Sequence, residues 1–256
     1  MKKFVHFVLM SSMAVSAKAQ LESSFSYAMA IPLKEMAHNI NLTHSGVADI
    51  RYQFKKTAKQ FWVGTQFGYG LYAMKTQKQT YQFDNGAVTE ANVRFTSNVF
   101  NSHLTAGADL LSGKAITPYI IIKGGISKFY TKVYIPDPNE DGSCKPLENK
   151  NVYKDAAWST GMGAGVKIAG NKIFKKVHSD DWWIDLSANY LTGGTLNYLN
   201  VKHLVENNDN TTPDPKGFDV TFVNVTTNEI HQHQVAEILT SRINQLDIKL
   251  GLFVHL

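Results

Sequence analysis

One cysteine, Cys144, stands in 256 residues. That excludes a disulfide framework and any zinc cluster built from cysteines. Long apolar runs are missing as well. Past the first two dozen residues, no stretch approaches the run of about 18 apolar residues that marks a membrane-crossing helix. Charged residues are neither scarce nor of one sign, at 18% of the chain, and aromatics reach 11%. A disordered or collagen-like chain is therefore excluded. Helical periodicity is nearly absent too, which leaves strands to build the fold.

The net charge of +5 is mostly a property of the first residues. They run MKKFVHFVLMSSMAVSAKAQ, with Lys2 and Lys3 ahead of an apolar stretch and Ala17-Lys18-Ala19 at its end. This is the pattern of a secretory signal peptide, residues 1–19, followed by one domain over residues 20–256. Cleavage after Ala19 removes three lysines and no acid, which lowers the charge to +2. The basicity that would suggest nucleic acid belongs to the export signal. No cysteine stands at the cleavage point, so lipoprotein anchoring there is excluded.

What the chain does have is alternation of period two. Leu246, Ile248, Leu250, Leu252, Val254 and Leu256 point one way; Asp247, Lys249, Gly251, Phe253 and His255 point the other. Trp182, Ile184, Leu186, Ala188 and Tyr190 repeat the pattern against Asp185, Ser187 and Asn189. Six further segments carry it, around Phe25, Ile50, Phe67, Leu104, Ile122 and Met162. Eight strands of near ten residues are expected, each long enough to cross a bilayer at the usual tilt. Links at 55–60, 112–115 and 170–181 are mostly short, whereas those at 34–46, 75–92, 135–155 and 199–239 are long. Short turns at one end and long loops at the other mark a transmembrane β-barrel. The fold expected is all-β: an eight-stranded antiparallel up-and-down transmembrane barrel. Aromatics near the ends of the apolar faces (Phe25, Phe61, Trp158, Trp182, Tyr190) and small residues on the polar faces favour it over a soluble barrel of lipocalin type.

On these patterns the chain resembles the small eight-stranded outer-membrane barrels of outer-membrane protein A and X type, and in flavour those of Bacteroidota. The most specific likeness is at the C-terminus. Barrels of that family end in a polar residue, a glycine two places on, a large apolar residue and a terminal aromatic. Lys249, Gly251, Val254 and Leu256 occupy those places, with Leu256 where Phe is usual. The resemblance implies an assembly signal read by the barrel-assembly machinery and an outer-membrane location; unlike in outer-membrane protein A, no peptidoglycan-binding domain is expected.

Motifs for chemistry are weak. Gly161, Gly163 and Gly165 miss the spacing of a dinucleotide loop, and small interior residues explain them better. Gly107 to Lys114 misses a P-loop by one residue, with Ala115 where a hydroxyl should bind magnesium. His231 and His233 share one strand face, which suits a metal ion, but no third ligand is fixed by spacing, and a polar loop is the better reading. Ser102 and His103 have the residue types of a lipid deacylase but, being adjacent in a strand, face opposite ways. Cys144 sits in a loop rich in Pro, Asp and Gly.

The inward faces are more informative. Asp49, Asp109, Asp185 and Asp247 supply four acids, and Arg51, Lys123, Lys167 and Lys249 supply four bases. Unpaired buried charges cost several kcal/mol each, so a narrow lumen must match them, giving a cross-linked core rather than a pore. The function expected is that of a monomeric, non-enzymatic outer-membrane scaffold that needs no cofactor or nucleic acid. Its loops would meet an extracellular partner in adhesion or serve an envelope-structural role. The last loop, with Phe218, Val220 and Phe222 alternating as a protruding sheet, is the candidate binding segment. Two rival readings stay open: a lipid-modifying barrel enzyme, marked by a Ser–His–acid cluster at the rim, and a soluble exported binder, marked by an apolar lumen.

Overall fold

The computed structural model describes residues 21–54, 58–82, 88–111, 114–135, 148–173, 182–199, 217–223 and 230–255. Residues 1–20, read above as mostly an export signal, Cys144, Leu256 and the greater part of the last loop lie outside them. Strands β1 (Leu21–Pro32), β2 (Thr43–Gln53), β3 (Phe61–Gln82), β4 (Val88–Asp109), β5 (Ile116–Ile135), β6 (Glu148–Ala169) and β7 (Trp182–Leu199) follow one another around a sheet. A short β8 (Gly217–Val223) precedes the long β9 (Ile230–His255). Every pairing is antiparallel, and β9 bonds to both β7 and β1, which closes an eight-stranded up-and-down barrel. β8 stays outside the closed ring as an added strand on β9.

Strand length corrects the expectation of near ten residues. Of the eight strands in the ring, only β1 and β2 are that short; β3, β4 and β6 reach 22 residues and β9 reaches 26. At about 3.3 Å per residue, 22 residues reach roughly 70 Å, more than twice a bilayer's hydrocarbon thickness. The segments 75–92, 135–155 and 199–239, read from sequence as loops, hold strand at 75–82 and 88–92, at 148–155, and at 217–223 and 230–239. They were missed because the alternation continues through them with its faces exchanged.

Two halves result. In the closed half all eight strands are paired, and the large apolar side chains point outward: Phe25 and Leu104 are each 71% exposed, Met162 67%, Ile122 62% and Leu250 56%. Above Leu71 and Pro32 the partners run out. β2 ends its pairing with β3 at His44–Leu71, and β6 leaves β7 at Ser159–Gly193. Beyond those points β3–β6 form one sheet and β7, β9 and β8 another. Their inner faces pack together through Val93, Phe95, Val99, Phe129 and Val133 on one side and Leu191, Leu196, Tyr198 and Ile243 on the other. The rings of Tyr72, Phe129 and Tyr198 meet at 5.5–6.3 Å. Both Tyr72 (3.0 Å) and Ser97 (3.1 Å) donate to the Leu199 carbonyl from across the sandwich. A one-turn helix, α1 (Glu35–Asn39), fills the side left open where β1 and β2 stop, burying Met36 with Ile40 just after it.

Candidate functional site

The interior of the closed half holds the charges. Asp49, Arg51, Asp109, Lys123, Lys167, Asp185 and Lys249 are all buried, and Asp247 is 14% exposed at its side chain. Parity places them: each lies on the face of its strand opposite the apolar belt. Lys249 is the hub, with Nζ 3.0 Å from Asp49 Oδ2 and 3.3 Å from Asp185 Oδ2. Asp49 also accepts from Ser24 (3.0 Å) and Gln66 (2.7 Å), and Asp185 accepts from the Tyr119 hydroxyl (2.6 Å). Lys123 pairs with Asp247 at 2.9 Å, and Gln245 donates to the same carboxylate at 2.8 Å.

Near the mouth at the turn end, Lys167 bridges Asp109 (2.9 Å) and Glu22 (3.5 Å). Glu22 is a fifth interior acid that the sequence reading missed, so the two signs are not equal in number. Its signal was available, because it shares parity with Ser24 and Ser26 at the start of β1.

Arg51 is held differently. Its guanidinium lies 4.0 Å from the Trp62 ring centre and 4.2 Å from that of Phe253, with Tyr119 at 5.2 Å. Among the described residues, none of its three nitrogens has a hydrogen-bond partner. Stacking between aromatic faces is a stabilising environment for a desolvated guanidinium, worth about 2 kcal/mol. Two glycines make room for these rings. A Cβ on Gly107 would fall 2.3 Å from Trp62, and one on Gly165 would fall 2.5 Å from Tyr119. Gly165 belongs to the glycine run noted in the sequence, which therefore lies along the barrel wall.

Ser102 and His103 do not converge. His103 points inward and its Nε2 meets the Ser159 hydroxyl at 2.8 Å, while Ser159 meets Ser127 at 2.8 Å. Among the described residues the ring's Nδ1 has no hydrogen-bond partner, so none of their carboxylates orients the imidazole through that atom. The pair is buried in the barrel rather than set at its rim.

At the C-terminus, two of the expected signal positions carry packing as well. Lys249 anchors the ion pairs, and a Cβ on Gly251 would fall 1.9 Å from the Ser26 hydroxyl. Val254 is 42% exposed on the apolar belt. Phe218 and Phe222 lie on β8, in register with Ala236 and His231 of β9, and Val220 pairs with His233. The side chains of Phe218, Phe222, His231 and His233 lie outside the described residues.

No protein-family model matches the sequence, and no curated protein matches it. Several solved structures are similar in shape. Neisserial surface protein A is 8% identical over 92% of this chain and 96% of its own, with a TM-score of 0.40. The attachment invasion locus protein of Yersinia pestis, solved with the heparin analogue sucrose octasulfate, is 9% identical over 93% and 98%, with a TM-score of 0.42. The N-terminal β-barrel domain of Pseudomonas aeruginosa OprF is 10% identical over 92% and 98%, with a TM-score of 0.36. At these values no residue role passes from them to this chain.

Proposed function

We propose that this chain is a monomeric, non-catalytic outer-membrane protein that holds a β-sandwich outside the cell as an interaction surface. One observation carries the reading: the apolar face of the wall changes sides at a common level. On β5, Ile120, Ile122 and Ile126 face outward, but from Phe129 onward the buried apolar residues face inward and Lys128 and Lys132 face out. On β4, Leu104 faces outward, whereas Val93, Phe95 and Val99 face in. β9 exchanges faces between Leu246 and Ile243. A wall surrounded by one solvent has no reason to invert. A wall that passes from hydrocarbon into water must.

The length of the belt agrees. Its outward apolar rows run from residue 116 to 126 on β5 and from 246 to 254 on β9, matching the roughly 9–11 residues of a tilted membrane strand. The interior at that level is charged and ion-paired, the reverse of a soluble barrel that binds apolar ligands. The apolar interior lies above it and is filled by packed side chains. Outer-membrane lipid and the barrel-assembly machinery are then the partners of the closed half, the latter reading Lys249, Gly251, Val254 and Leu256.

Membrane fractionation with a heat-modifiability gel tests this reading. The protein is expected in the outer-membrane fraction, with a band that shifts on boiling; recovery in the soluble fraction without a shift would falsify it. Within the projecting half, β8 and its loop are the candidate contact for an extracellular partner. Replacing Phe218 and Phe222 with Ser should abolish partner capture without loss of insertion. Deleting residues 206–216 should leave the barrel heat-modifiable.

A further inference from the structure

We propose that the outward face of β4–β6, at the level where the belt ends, binds the phosphate of a membrane lipid headgroup, with Lys128 and Lys132 as its contacts. The inference rests on the membrane placement above and adds a ligand to it. A cleft of about 560 Å³ lies on this face. Tyr69 and Phe100 line its lower part and are 54% and 39% exposed, and Lys128, Tyr130 and Lys132 line the rest with the amides of Asn149 and Asn151. The three β5 residues share the outward parity, with Lys128 opposite Phe100 on β4 and Ala156 on β6.

The charge on this face has one sign among the described side chains. Arg94 on β4 and Lys154 on β6 are exposed to either side of the lysine pair. Lys128 and Lys132 have no carboxylate partner among the described residues, and Lys128 Nζ stands 5.9 Å over the Tyr130 ring. The near carboxylate, Asp155, is engaged by the backbone N–H groups of Ala156 (2.7 Å) and Asn197 (2.8 Å). The opposite wall differs: its Arg242 is turned onto the Gly193 carbonyl at 2.7 Å.

The cleft straddles the boundary between apolar and charged surface. A soluble polyanion would use the lysines and leave Tyr69 and Phe100 idle. A phosphorylated amphiphile uses both, laying its chains over Phe100 and Ile126 and its phosphate between the ammonium groups. The asparagine amides suit the polar remainder of a headgroup.

The test places the full chain in phosphatidylcholine vesicles doped with phosphatidic acid, or with the diacylglycerol of the same chains, and counts retained lipid by native mass spectrometry. The parent should retain phosphatidic acid and not diacylglycerol. The double variant Lys128→Gln/Lys132→Gln should lose roughly 10- to 30-fold, from about fivefold per lysine at an anionic surface. Each single variant should lose about fivefold, which keeps the site testable if the double variant does not fold. Equal retention by parent and variants, or equal retention of diacylglycerol, overturns the site. So does capture of soluble heparin by the parent without enrichment of phosphatidic acid. A heat-shifted band with equal retention overturns the lipid site and leaves the membrane placement standing, whereas a parent that fails to insert overturns both.

Discussion

The closed half and the split half are built from the same strands, yet their interiors are opposites. Inside the belt, Lys249, Asp49 and Asp185 form a buried ionic hub; further along the strands, Phe129, Tyr198 and Tyr72 form an apolar one. The difference teaches that the interior of a barrel follows from what surrounds it. Where the outside takes up the apolar side chains, the inside is left to polar ones and must neutralise them. Where water bathes the outside, the hydrophobic effect drives apolar groups inward. Without β1 and β2 to close the ring, the two remaining sheets collapse onto each other.

Five substitutions and one recording probe how separate the halves are. Phe129→Ala should cost about 3–5 kcal/mol, confined to the split half: hydrogen exchange over residues 127–135 should accelerate while the boiled-to-unboiled gel shift persists. Loss of the shift would show one cooperative unit instead of two. Lys249→Ala should cost about 3–5 kcal/mol by leaving two buried carboxylates without their cation. Urea titration in vesicles measures it, and adding Asp49→Asn with Asp185→Asn should restore most of the loss. If it does not, the hub stabilises through packing and not charge.

Leu250→Arg should cost about 2–4 kcal/mol near the bilayer midplane. Thr76→Arg, on the outward face of the split half, should stay within about 0.5 kcal/mol. Equal costs would erase the proposed change of solvent along the wall. Tyr72→Phe should cost only about 0.5–1 kcal/mol, because Ser97 still donates to the Leu199 carbonyl. Planar-bilayer recordings should show no large steady conductance, since paired charges and stacked rings obstruct the closed half while the packed core fills the other. Porin-like steps would mean that the ionic hub opens.

Much of this architecture was legible without coordinates. Strand alternation depends only on the pleat, so the belt facing of Ile122, Met162 and Leu250 and the inward parity of Asp49 and Lys167 could be read locally. The short links could be placed from the spacing of the alternating segments, whereas three of the four long ones hold further strand. Glu22 and the continuation of β3–β6 were legible but unread, because the alternation was followed only while apolar residues pointed outward.

Other features had no local signature. Lys249 and Asp49 stand 200 residues apart in sequence and meet because closure of β9 on β1 sets the stagger of every strand. His103 reaches Ser159 two strands away over Gly125, with which both are in register, and Arg51 is buried between Trp62 of β3 and Phe253 of β9. The seam between β6 and β7 and the filling of the open side by Met36 and Ile40 arise from unequal strand lengths around the ring. Period two is a property of each strand. Which inward groups touch is a property of the closed ring, whose shear no single strand encodes.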